Sequence, residues 1–481
     1  MTSVKQETFN GVIWSSVEKF SSLGIHFVVG IILARLLLPS DFGAIALITI
    51  FFTISNSFID SGFGTALIRK NDRTETDFAT VFYFNIFISL ICYGLLFISA
   101  PYISEFFNLS ILCPVLRVQS LSLILGAFIA VLNAKLLINL NFKAIAIRTL
   151  LSALISGIVG IGLAYMGYGI WALVFQTLTA SFVNLVFVWW YCKWLPDLIF
   201  SFKSFKELGS FGSKLLAAGL INTIYDNLAP LAIGKFYTPA DLGFYNRGSE
   251  LARVPSHSLL SVVQSVSFPV FSKIQDDDNH LIRVYRKYIR FTSLFLIFFC
   301  IMVAAIAKPI VLFLLTEKWA DAIIYLQLFC FAVMFNHINT INLNLLQVKG
   351  RSDLFLKLEI IKKIISIFIL VVAIPFGVIW ICVSKIVYCQ IAIVINTYYS
   401  GKLFKMGYIA QVKDFIGYFC RSIVACIPAY LISTYLDIPI IVQIVLSLIL
   451  SISVYYFLLR KDELMVESIS LVKDRIYKCI K

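Results

Sequence analysis

Along nearly its whole length the chain alternates long apolar runs with short polar breaks. In the first part the runs cover residues 10 to 37, 42 to 68, 79 to 100, 109 to 134, 144 to 166 and 168 to 192. After a break come 208 to 235, 241 to 271, 287 to 315, 320 to 347, 353 to 375 and 376 to 400, then 414 to 434 and 438 to 459. A helix of about 20 apolar residues crosses the hydrocarbon core of a bilayer, whereas strands of a membrane barrel would alternate polar and apolar positions. The runs do not alternate. The pattern predicts an all-α integral membrane protein with about fourteen transmembrane helices.

The runs also repeat. Pro39-Ser40-Asp41-Phe42-Gly43 and Pro239-Ala240-Asp241-Leu242-Gly243 each follow an apolar run and a basic residue, Arg35 or Lys235, and each precedes another run. Each copy reads as the hinge of a helical hairpin, with proline stopping the first helix and aspartate at the N-cap of the second. Ala100-Pro101-Tyr102-Ile103 against Lys308-Pro309-Ile310-Val311, and Gly169-Ile170-Trp171 against Gly377-Val378-Ile379-Trp380, keep nearly the same offset. A duplication follows. The expected organisation is a six-helix bundle over 1–192, a cytoplasmic linker over 193–207, a second six-helix bundle over 208–400, two further transmembrane helices over 401–460 and a basic tail over 461–481.

Composition supports the membrane reading: of 481 residues, 60% are hydrophobic and 14% charged, too little polar surface to coat soluble domains. The net charge of +14 collects in alternate loops, including Arg69, Lys70 and Arg73; Lys135, Lys143 and Arg148; and Lys193, Lys203 and Lys206. Positive charge marks the cytoplasmic side, so both termini are expected there. It is read as a topology signal and not as nucleic-acid binding. The ten cysteines lie almost all inside apolar runs and form no Cys-x-x-Cys pair, so they read as small apolar residues. A cleavable signal peptide is not expected, because Glu18 and Lys19 interrupt the first run. With six spans per half, the two halves form a parallel repeat about an axis along the membrane normal.

Polar residues inside the runs are the candidate chemistry. In the eighth run Arg247, Glu250, Arg253, His257, Ser261 and Gln264 recur every three or four residues and share one helical face. Such a stripe either lines water or forms an internal ladder, Arg247 with Glu250 and Glu250 with Arg253. The second run carries Thr53, Asn56 and Asp60 in the equivalent place, which suggests one cavity shared by the halves. Asn222 and Asp226 sit one turn apart in the seventh run, and Arg117, Lys385 and Lys19 are further isolated cations. Arg253, Arg247, Arg117, Lys385 and Lys19 are the candidate substrate-binding cations. His257, Asn222, Asn56 and Asn336 are the candidate polar lining, and Asp60, Asp226 and Glu250 the candidate coupling carboxylates. The tenth run, with Asn336, His337, Asn339, Thr340, Asn342 and Asn344, suits either sugar binding or helix gluing. No phosphate-binding Gly-x4-Gly-Lys-Ser/Thr loop, zinc-ligand cluster or nucleophile elbow stands in the sequence, and the longest loop has about 15 residues. Neither a metal, a bound cofactor nor an enzyme active site is expected.

Gly11 to Lys70 resembles the polysaccharide transporter branch, the O-antigen flippase or Wzx-type proteins, of the multidrug/oligosaccharidyl-lipid/polysaccharide exporter superfamily. The stretch Ala34-Arg35-Leu36-Leu37-Leu38-Pro39-Ser40-Asp41-Phe42-Gly43 is similar to that family's first hairpin. Asp60-Ser61-Gly62-Phe63-Gly64 with Ala66-Leu67-Ile68 resembles the end of its second helix, and Phe268-Pro269-Val270-Phe271 the end of its eighth. The resemblance is good over roughly residues 9 to 275. It implies two pseudo-symmetric six-helix bundles facing a central cavity, with two extra helices opening a groove toward lipid. It also implies an oligosaccharide on polyprenyl pyrophosphate as substrate, flipped across the cytoplasmic membrane by alternating access, with polymerase and chain-length proteins of the same pathway as partners. Two rivals share this architecture, the multidrug and toxin extrusion exporters and the flippases of peptidoglycan precursor. A proton or sodium ion is the expected coupling ion.

Overall fold

The computed structural model describes residues 2–467 and 470, with side chains except those of residues 2–10, 12, 218, 254–259 and 261–265. Among the described residues the structure is helical, without a strand. In chain order the helices are α1 (Thr2–Leu36), α2 (Pro39–Asp60), α3 (Phe63–Arg69), α4 (Glu75–Phe106), α5 (Leu112–Gln119), α6 (Leu121–Ile138), α7 (Phe142–Tyr165), α8 (Ile170–Cys192) and α9 (Phe202–Phe236). They continue as α10 (Pro239–Lys273), α11 (Asp278–Ala305), α12 (Ala307–Leu315), α13 (Ala322–Val333), α14 (Asn336–Val348), α15 (Ser352–Ala373), α16 (Val378–Phe404), α17 (Tyr408–Tyr435) and α18 (Ile440–Leu459).

Each of the fourteen expected runs is helical, several broken into two helices. Among the described residues, eleven spans are long and apolar enough to cross a bilayer. The other three expected runs correspond to α9, α10 and α15, helices interrupted by charges such as Asp226, Arg247 and Lys362. The chain is a multi-pass membrane protein.

The hinges differ from the sequence expectation in one detail. Proline does not end the first helix; it opens the second, where its fixed φ suits the first turn and its missing N–H leaves no donor unsatisfied. Aspartate is then the third helical residue and not the N-cap. Asp41 Oδ2 accepts from the Leu38 N–H at 3.0 Å, and Asp241 Oδ2 accepts from the Thr238 N–H at 3.1 Å and its hydroxyl at 2.7 Å. Both carboxylates satisfy groups just ahead of the helix, as the reciprocal half of a capping box does.

Packing groups the chain into Met1–Gly243 and Phe244–Lys481. In the first unit α7 lies against α1 and α8, α6 against α4 and α8, and α2 runs along α9. The α2–α9 pair is antiparallel: Ser57 meets Thr223, Gly234 meets Leu47, and a Cβ on Gly212 would lie 2.5 Å from the Ser61 carbonyl oxygen. Small residues permit that approach. An aromatic core of Phe63, Phe78 and Phe82 closes the end where α3, α4 and α9 begin or finish. In the second unit α11 packs on α17, α16 on α13 and α15, and α18 on α17 and α12.

Candidate functional site

In the second unit the cations of α10 and α16 rest on aromatic rings. The Lys385 ammonium lies 5.1 Å from the centre of the Tyr245 ring and 5.3 Å from that of Phe329. Those two rings meet edge to face at 5.0 Å, and both side chains are buried. Arg253, exposed about two turns beyond Tyr245 on α10, interacts electrostatically with the same Tyr245 side chain. The Arg247 guanidinium stands 5.9 Å from the Trp319 ring and donates to Glu250 Oε2 at 2.7 Å. This is the first rung of the ladder read from the sequence. The Arg247 side chain is 13% exposed and that of Glu250 61%.

The electrostatic balance follows. An aromatic face attracts a cation through its quadrupole but carries no net charge, so a ring contact by itself leaves the cation's charge in place. Of the four described residues Arg247, Glu250, Arg253 and Lys385, three carry a cation and one, Glu250, a carboxylate that pairs with Arg247. Guanidinium and ammonium groups of this kind are suited to phosphoryl oxygens. His257, with Ser261 and Gln264, lies outside the described side chains.

The amides of α14 face neighbouring helices. Asn342 is fully buried, and its Oδ1 accepts from Tyr285 Oη at 2.8 Å, Ser400 Oγ at 2.7 Å and Gln411 Nε2 at 3.0 Å. Asn339 Oδ1 accepts from Asn396 at 2.8 Å, Asn344 donates to Ser267 at 2.9 Å, and Asn336 Oδ1 accepts from the Cys389 thiol at 3.7 Å. Of the two roles open to this helix in sequence, these contacts are those of interhelical glue.

The first unit holds an acidic and amide-bearing face. Asn56 and Asp60 on α2, and Asn222 and Asp226 on α9, are all exposed. Counted at about 100° a residue from the Ser57–Thr223 contact, Asn56 and Asp60 lie about 100° and 60° to one side of α2. Asn222 and Asp226 lie at the same angles in the same sense on α9. In an antiparallel pair equal rotations of equal hand reach one face, so the four residues share it. Carboxylates beside amides can take a proton or a small cation. Among the described residues, no group of three or more His, Cys, Asp or Glu side chains could hold a metal ion.

The remaining candidates stand apart. Arg117 donates from Nε to the Phe97 carbonyl at 3.3 Å and stacks 4.4 Å above that ring, in the first unit. Lys19 is exposed on α1. Arg148, read from sequence with the loop cations, is instead buried at 8% exposure, with Nη1 donating to Asn133 Oδ1. Its position six residues inside α7 was the available signal. Tyr245, Phe329 and Trp319 escaped the sequence reading because an aromatic ring in an apolar run looks like core.

Comparison with known proteins now bears on these features. The profile of a family described as "polysaccharide biosynthesis protein" matches residues 32–324, more than half of the chain. The chain belongs to the polysaccharide biosynthesis protein family. Among relatives of this family member, the succinoglycan biosynthesis transport protein ExoT of Rhizobium meliloti (strain 1021) is 26% identical, covering 64% of this chain and 63% of its own. The chain thus spans somewhat less than two thirds of that relative. The teichuronic acid biosynthesis protein TuaB of Bacillus subtilis (strain 168) is 23% identical over 74% of each chain. The lipopolysaccharide biosynthesis protein WzxC of Escherichia coli (strain K12) is 24% identical over 76% of this chain and 75% of its own. Among solved structures, the lipid II flippase MurJ in an inward closed conformation superposes with a TM-score of 0.75 and 14% identity, over 93% of this chain and 98% of that one. An inward-facing multidrug resistance MATE family transporter of the MOP superfamily gives 0.61 and 16%, over 83% and 100%. The family member therefore has the fold of the exporter superfamily that the hinge motifs resemble.

Proposed function

We propose that this protein is a flippase for an oligosaccharide repeat unit carried on polyprenyl pyrophosphate, in O-antigen, capsule or exopolysaccharide assembly. The observation that carries this reading is the surplus of cations over carboxylates among Arg247, Arg253, Lys385 and Glu250. A drug exporter for cationic cargo would want the opposite balance. The names of the relatives, transport and biosynthesis proteins of surface polysaccharides, support the same substrate class.

The physics of the cargo fits. A polyprenyl chain gains about 0.8 kcal/mol per CH2-sized unit by staying in lipid, tens of kcal/mol over its length. A transporter therefore holds the headgroup and leaves the tail in the bilayer. Pyrophosphate is the part that lipid rejects most strongly, and Arg253, Arg247 and Lys385 are the groups to receive it, with Arg117 and Lys19 as further contacts. Translocation changes no covalent bond, so we assign no enzymatic activity. Alternating access would move the headgroup, and Asp60, Asp226 or Glu250 would couple it to a proton or sodium gradient. The alternating loop cations support a cytoplasmic position for both termini, in the inner membrane of a bacterium. Polymerase and chain-length proteins would receive the product.

A strain lacking the protein tests the reading. Loss of surface polymer, with accumulation of the complete lipid-linked repeat unit in membrane extracts, is the expected outcome. Intact polymer with new sensitivity to cationic drugs would overturn it in favour of an exporter.

A further inference from the structure

The stretch joining α8 to α9, residues 193–201, is irregular and presents two different faces. Inward, Trp194 Nε1 donates to Glu75 Oε2 at 2.7 Å, and the Lys135 ammonium sits 4.3 Å above the Trp194 ring. The Ser201 N–H donates to Thr80 Oγ1 at 3.0 Å, and Phe205 packs with Phe63 and Phe84. Outward stand Leu195, Leu198, Ile199, Phe200 and Phe202, with Leu198 93% and Phe202 71% exposed. Lys193, and Lys203 and Lys206 at the start of α9, are exposed beside them, against the exposed carboxylates of Asp197 and of Glu207, the latter paired with Lys70.

Five large exposed apolar side chains over so short a stretch are unusual unless something covers them. The stretch begins where α8 leaves its apolar run, and Trp190 and Tyr191 in the last turn of that helix are exposed as well. Aromatic residues at such ends mark the level of the lipid headgroups. Apolar side chains at that level, interleaved with lysines, suit the boundary between acyl chains and anionic headgroups. We infer that residues 193–206 form a strap lying in the plane of the membrane, with Leu195, Leu198, Ile199, Phe200 and Phe202 among the acyl chains and its lysines on anionic phospholipid. That the leaflet is the cytoplasmic one rests on the orientation proposed above; the contact itself does not. Because Trp194 and Ser201 tie the strap to α4 and α6, its grip on the leaflet acts on that end of the first unit.

The test uses the full chain in nanodiscs of phosphatidylcholine with phosphatidylglycerol, symmetric in composition, and needs neither substrate nor known orientation. With p-benzoylphenylalanine in place of Leu198, illumination should give phospholipid adducts as the main product by intact mass. The ratio of phosphatidylglycerol to phosphatidylcholine among them should be about five times that of the bilayer. The same probe in place of Trp194, which faces the protein, should give internal crosslinks. Joint substitution Lys193→Gln, Lys203→Gln and Lys206→Gln should remove the enrichment and keep the lipid adducts. Internal crosslinks or no adduct at 198 would overturn the strap, and adducts in proportion to mole fraction would overturn its anionic preference. Neither result depends on whether the protein flips a glycolipid.

Discussion

Gly43 and Gly243, two hundred positions apart, meet backbone to backbone. A Cβ on Gly43 would fall 1.7 Å from the Pro239 carbonyl oxygen, and a Cβ on Gly243 would fall 2.1 Å from that of Pro39. The contact is reciprocal, each glycine receiving the carbonyl of the proline that opens the other repeat's hinge. The two Pro-x-Asp-x-Gly motifs are therefore one structure, and backbone at each side is the neighbour that cannot give way.

Alanine at either position should be costly for that reason. Gly43→Ala and Gly243→Ala are each expected to lower stability by about 1–3 kcal/mol, the range for overpacking. The readout is the melting temperature in detergent. Gly94→Ala is the control, since a Cβ there meets nothing within 4 Å and helix propensity favours alanine. Equal melting of the Gly43 and Gly94 variants would show that the hinges do not touch.

Asn342 gives a second test. Its Oδ1 accepts three hydrogen bonds in a site without exposure, so Asn342→Leu strands the donors of Tyr285, Ser400 and Gln411. The expected loss is roughly 3 kcal/mol of stability, from buried donors costing about 1–3 kcal/mol each. Polymer output per folded protein should stay near normal. A normally stable variant with an altered glycan preference would instead make the amide helix a sugar site.

Asp414 anchors α17 on α11. Its fully buried carboxylate accepts from Arg286 at 2.9 and 2.7 Å and from Arg290 at 2.9 Å. Asp414→Ala should cost about 1–3 kcal/mol, less than a wholly buried pair, because both arginines are more than 40% exposed and can rehydrate. Arg286→Gln alone should cost less, since Arg290 still neutralises the carboxylate. Thermal melts of the two variants in parallel decide the order.

How far the sequence carries is shown by these same residues. Runs of apolar residues are local, and they located the helices and the hinges between them. Packing partners are not local. Nothing in either hinge says that it touches the other, and nothing in the apolar runs around Tyr245 and Phe329 marks them as the seat of Lys385. The amides of α14 were ambiguous because sugars and neighbouring helices ask for the same donors. Arg148 was grouped with the loop cations although it lies within the run at 144 to 166, because the run alone does not show that Asn133 faces it.

A pH effect is expected at Asp277, which caps α11 outside the apolar runs. Its side chain accepts from the His280 N–H at 3.0 Å, which holds its carboxyl below the usual carboxylate range. A depressed carboxylate stabilises the fold above its ordinary pKa, and the contribution disappears as pH falls through the depressed value. Asp277→Ala should therefore melt earlier than the parent protein at pH 7, with the gap closing toward pH 3. A gap independent of pH would show that the cap is not ionic.

Flipping can be followed with the purified protein. Purified protein would be reconstituted in liposomes with a labelled polyprenyl-pyrophosphate oligosaccharide, and its movement between leaflets read by an added impermeant glycan-modifying enzyme. Movement well above protein-free liposomes is predicted, falling at least about ten-fold in Arg253→Ala at equal protein levels, as loss of a charge-assisted contact to phosphate implies. No movement above the protein-free background would rule out a flippase for this lipid, and full activity in both Arg253→Ala and Lys385→Gln would rule out these cations as its pyrophosphate contacts.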